Sequence, residues 1–100
     1  MGRLRYDSAS DQILIDDVEL AHLRIVIGEK LRRGESFMMS WHTGTEGSDA
    51  VFSAWIHPAV PLLFVFDSSA PAPIDSLHIE ELNERINSND GLVLHTMARR

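Results

Sequence analysis

The stretch from Leu20 to Trp41 constrains this chain most, because it contains an amphipathic helix, a stop and a buried strand in immediate succession. Asp16 is a good N-cap, and Glu19 follows at the capping-box spacing. Ile15 stands where it can staple onto Leu20. Gly34 is a natural left-handed stop, and Lys30, Arg32 and Arg33 place cations at the partly negative helix end. The spacing predicts a helix over residues 17–33. At about 100° per residue, Leu20, Leu23, Ile27 and Leu31 form one narrow stripe, expected to face the core. Val18, Ala21 and Ile25 form a second apolar set off that stripe, with Gly28 at its edge. Either a wrapping sheet or another subunit is expected to cover it.

Strands are expected on both sides of this helix. Residues 3–6 and 12–15 alternate apolar and polar around the polar segment Asp7–Asp11, the pattern of a hairpin. Phe37, Met39 and Trp41 share one face of a strand, and Met38 and Ser40 the other. After the polar loop His42–Asp49, a strand over residues 50–57 puts Phe52, Ala54 and Ile56 on one face. Val51, Ser53, Trp55 and His57 fall on its opposite face. Pro58 and Pro61 bracket a tight connection, since proline donates nothing to a ladder. Residues 62–66 are apolar on both faces, which predicts a central strand.

A second helix over about residues 75–87 follows, capped by Asp75, with Ile74 placed to staple onto Ile79 and a stripe of Ile79, Leu82 and Ile86. Residues 92–95 read as a last strand and 97–100 as a frayed tail. The expected fold is therefore α+β, two-layer, with two helices on a mostly antiparallel sheet of about six strands in the order ββαβββαβ. One hundred residues suit a single domain over 1–100.

Composition excludes several classes. There is no cysteine, so disulfides, thiolate catalysis and cysteine zinc sites are out. The net charge of −6 opposes non-specific nucleic-acid binding and anionic membrane surfaces. No apolar run nears the roughly 18 residues of a membrane span, and residues 1–7 lack a signal-peptide core. Residues 2–7 do not make a myristoylation motif either. The expected address is the cytoplasm, with no membrane partner.

The residues that carry chemistry elsewhere are scattered here. His22, His42, His57, His78 and His95 form no helical ligand pair, so no metal or cofactor is expected. His42 and His57 flank two strands and would need Glu46 or Asp49 to complete a metal site. Gly34-Glu-Ser36 lacks the second glycine of a nucleophile elbow, and no spacing ties serine, histidine and carboxylate into a triad. Gly44 and Gly47 sit in a strand connection rather than ahead of a helix, so they make no phosphate loop. Lys30, Arg32 and Arg33, with Arg24 nearby, form a candidate anion patch, or else a helix end paired with Glu29 and Glu35. Trp41 and Trp55 lie on neighbouring expected strands and share a face if these pair, giving a stacking platform, a core or a subunit interface.

Nearly the whole chain resembles a family of short, uncharacterised actinobacterial proteins of about this length. The likeness is carried by Met1–Asp7, Leu20-Ala-His-Leu23, Lys30–Phe37, Ser40-Trp41, Trp55-Ile-His-Pro58, Pro61-Leu62, Asn87-Ser88 and Gly91-Leu92. The block from Leu20 to Trp41 is its specific part. The chain departs from the family pattern at His78, where the resemblance implies tryptophan, and in its tail Ala98-Arg-Arg100. Members are sometimes labelled ATP-dependent DNA ligase, but a ligase needs a nucleotidyl-accepting lysine in a Lys-x-Asp-Gly setting. Lys30 is the sole lysine and is followed by Leu31, Arg32 and Arg33. The resemblance implies no catalytic residue.

The leading expectation is a non-catalytic interaction module acting as a homodimer, alone or with an unknown protein partner. Its candidate interface is Val18, Ala21, Ile25 and Trp55, with small Ala21 and Gly28 allowing close approach. A second expectation is an accessory nucleic-acid-binding protein using Lys30, Arg32 and Arg33. A third is a small enzyme with a histidine-based site.

Overall fold

A computed structural model describes residues 2–6, 13–42 and 51–94. Strand β1 (Gly2–Tyr6) pairs antiparallel with β2 (Ile13–Ile15), Leu4 opposite Ile13, and these side chains are buried. The expected turn over residues 7–11 lies outside the described residues, as do the loop 43–50 and the tail 97–100.

Helix α1 (Asp17–Arg32) begins on Asp16, whose carboxylate accepts from the N–H groups of Val18 (3.1 Å) and Glu19 (3.4 Å). At its other end Gly34 takes φ +74°. The Gly34 N–H donates to Leu31 O and the Glu35 N–H to Lys30 O, the paired bonds of a Schellman stop. Leu20, Leu23 and Ile27 are buried as their spacing implies, and Leu31 packs against the same core. The buried arc is wider than the stripe, because it also takes in His22 and Val26. Helix α2 (Ser76–Ile86) packs on that flank, burying its own Leu82 and Ile86.

The remaining strands are β3 (Phe37–His42), β4 (Val51–Ile56), β5 (Leu62–Val65) and β6 (Leu92–Val93). The element order is ββαβββαβ, as the sequence implied. The strands make two three-stranded sheets, β2-β1-β5 and β4-β3-β6, in place of one sheet of six. Among the described residues every pairing is antiparallel except β3 with β6.

The division falls between β4 and β5, which are consecutive in sequence. Their connection turns on a Val60 N–H to His57 O bond and an Ala59 N–H to His57 Nδ1 bond. Pro58 and Pro61 withhold two donors from any shared ladder there. β5 pairs with β1 instead, Leu4 opposite Phe64, and is an edge of its sheet rather than the expected central strand. Leu62 and Phe64 pack on the core while Leu63 stays half exposed, so apolar residues on both faces did not mean burial on both.

One core nonetheless spans both sheets, joining Leu4 and Ile15 to Met39, Ile56 and Leu92. The Tyr6 hydroxyl adds a direct tie by donating to the Trp55 carbonyl at 2.8 Å. Gly91 (φ +75°) lets β6 enter beside β3, since a Cβ there would lie 2.2 Å from Met38 O.

Candidate functional site

Three features merit attention: a histidine cleft between the helices, the basic end of α1, and the apolar surfaces of α1 and β4. The cleft has a volume of about 410 Å³ and is lined by Asp16, Val18, Glu19, His22, Pro73, Ile74, Asp75 and His78. His22 is buried on α1. Its Nδ1–H donates to Val18 O (2.7 Å), and its Nε2 accepts from the Asp75 N–H (2.9 Å), a bond that fixes this tautomer. The His78 ring meets it edge-on at 5.0 Å between centroids.

His78 in turn lies between two carboxylates, with Nε2 2.6 Å from Glu19 Oε1 and Nδ1 3.3 Å from Glu81 Oε1. The Glu19 hydrogen bond raises its pKa above the usual histidine value; burial opposes this, and Glu81 adds to the rise. The ring thereby ties α1 to α2. All four ring nitrogens in the cleft are engaged, so neither imidazole offers a free nitrogen to a substrate. Among the described residues, no three His, Asp or Glu side chains are grouped so as to hold a metal ion.

The basic end of α1 is partly neutralised within the chain. Lys30 has a side chain only 11% exposed, donates to Asn87 Oδ1 beyond α2 and lies 3.1 Å from Glu35. Arg33 approaches the same carboxylate at 3.6 Å, while Arg32 is exposed on the helix end. Hydrogen bonding and charge from Lys30, with Arg33 adding, hold the Glu35 carboxyl below its ordinary pKa. Two of the three candidate anion-binding cations thus share one exposed carboxylate of the same chain.

The candidate interface residues fall on two surfaces. Val18 (39% exposed), Ala21 and Ile25 (38% exposed) lie on the side of α1 away from the core. Trp55, 59% exposed, stands on β4. The β3–β4 register sets Trp41 opposite Phe52 and Met38 opposite Trp55, so the two indoles occupy opposite faces and form no common platform. Trp41 stacks on Phe52 at 6.0 Å and 14°. The same register puts His42 beside Val51, whereas His57 follows Ile56 at the far end of β4. Six strand positions separate them by about 20 Å of backbone, so these two positions do not converge; Glu46 and Asp49 lie outside the described residues.

A family model described as a domain of unknown function, DUF7882, matches residues 1–97. The chain belongs to the DUF7882 family. No curated protein and no solved structure matches it. Within this DUF7882 chain, the group that sequence reasoning missed is the Glu19–His78–Glu81 bridge. Its local signal was Glu81, three positions after His78 on one helix; Glu19 had read only as a capping-box residue. His78 carried no sequence cue to Glu19, which is 59 positions away.

Proposed function

We propose that the chain is a small cytoplasmic interaction module that works as a homodimer rather than by a reaction. The observation that carries this is the apolar exposure of β4, where Trp55 and Val51 are each 59% exposed on a strand without a charged residue. Exposed large apolar side chains grouped on one strand mark a candidate association site, and two-fold pairing is the commonest soluble solution. The engagement of every ring nitrogen in the cleft supports a surface function over a histidine-based reaction. The pairing of Lys30 and Arg33 with Glu35 weighs against nucleic acid as partner.

The stripe of Val18, Ala21 and Ile25 supports a second location for the same interface. Sedimentation velocity over a concentration series, on the wild type and on Trp55→Asp and Ile25→Glu, tests both. We expect a wild-type dimer at micromolar concentration, with Trp55→Asp shifting it toward monomer. A shift confined to Ile25→Glu would move the interface to α1. A monomer throughout would overturn the module as a homodimer.

A further inference from the structure

The backbone of β4 defines what can cover it. Leu94 N–H donates to Ser40 O at 2.8 Å, so the peptide groups of Ser40 face β6. Ser53 stands directly opposite Ser40, with their hydroxyls 2.8 Å apart. In an antiparallel ladder the pairs alternate between bonded and non-bonded, and both peptide groups of a residue point to one side. Ser40 and Ser53 are therefore a non-bonded pair, and the Ser53 N–H and C=O point away from β3. By the same alternation those of Val51 and Trp55 point outward too. The Tyr6 hydroxyl bound to Trp55 O confirms the direction independently.

Among the described residues no strand pairs with β4 on that side. The strand, Val51-Phe-Ser-Ala-Trp-Ile56, has none of the charges or prolines that usually blunt an edge. We propose that a second copy of this chain adds its own β4 there, antiparallel about a two-fold axis at Phe52, to give a continuous six-stranded sheet. This rests on the homodimer reading and specifies its geometry.

Tyr6 already occupies the Trp55 carbonyl, which leaves Val51 and Ser53 to form the new ladder. Val51 of each copy exchanges two hydrogen bonds with the partner's Ser53. Phe52 then faces the partner's Phe52, and on the opposite face Trp55 lies diagonal to the partner's Val51, within reach of an aromatic ring. The pairing thus covers Val51, Phe52 and Trp55, the three exposed large apolar residues of the strand. An uncharged strand is also where two copies of a chain of net charge −6 meet with least repulsion.

The absence of cysteine makes a direct test clean. A two-fold non-bonded pair holds its Cα atoms about 4.5 Å apart, within disulfide range. Phe52→Cys should cross-link into a covalent dimer under mild oxidation, while Leu77→Cys, on the exposed face of α2, should not. Ser53→Pro removes an outward N–H without touching the β3 ladder, and should raise the dimer dissociation constant at least tenfold. Ser53→Ala should leave it unchanged. If Ser53→Pro fails to fold, the Phe52→Cys cross-link decides. A wild-type dimer with neither cross-linking at Phe52 nor sensitivity at Ser53 would overturn the β4 pairing and leave the homodimer standing. A wild type monomeric at all concentrations would overturn both, and an unrelated extended peptide bound to β4 of that monomer would identify a different occupant.

Discussion

Glu19 stands at the capping-box position of α1, yet its carboxylate reaches across to His78 on α2. The bond has a definite pH signature. The folded pKa of His78 is raised above its usual value of 6.5. Its stabilisation is therefore complete below that value and is lost as pH rises through the raised folded pKa. The groups facing the ring are Glu19 on α1, Glu81 on its own helix and the His22 ring. Glu81 is exposed and contributes little. His78→Gln should cost about 1 kcal/mol or less near pH 5.5, discounted for solvent screening. The difference from wild type should shrink toward zero near pH 9. Urea denaturation at the two pH values checks this; a difference that grows with pH would remove the bridge from the stability of the fold.

At the scale of elements, α1 carries the fold, because its stripe enters the core shared by both sheets. Leu23 and Ile27 are essentially inaccessible to solvent. Leu23→Ala or Ile27→Ala should each cost about 2–5 kcal/mol, the range for buried truncations. A loss below about 1 kcal/mol at both sites, read from chemical denaturation, would show that α1 is peripheral. The caps and stripes of both helices were legible in the sequence because they arise from residues within a turn or two of each other. The faces of β3 and β4 were legible from alternation, and the register places Phe37, Met39 and Trp41 opposite Ile56, Ala54 and Phe52. The partner of β5 was not legible, since Leu4 finds Phe64 across 60 positions and no local pattern encodes that choice. The Glu19–His78 half of the histidine bridge was hidden for the same reason. The separation of Trp41 from Trp55 needed the register, because sharing a sheet does not imply sharing a face.

For the whole molecule, the division into two sheets gives the Tyr6–Trp55 bond a value beyond its size. It joins the end of β1 to the outward side of β4, where the sheets part. Tyr6→Phe should lower stability by about 1 kcal/mol. Amide exchange should quicken where β1 meets β5 at Leu62, with β3 unchanged. Unaltered stability and exchange would show that the shared core alone holds the sheets together. The opposite placement of the two tryptophans has an optical consequence. Trp41 lies partly shielded against Phe52, and Trp55 stands in solvent. The chain therefore holds two natural fluorophores in unlike surroundings. With Trp55→Phe, the remaining emission follows unfolding; with Trp41→Phe, it follows whatever comes to rest on β4, and neither measurement requires an attached dye.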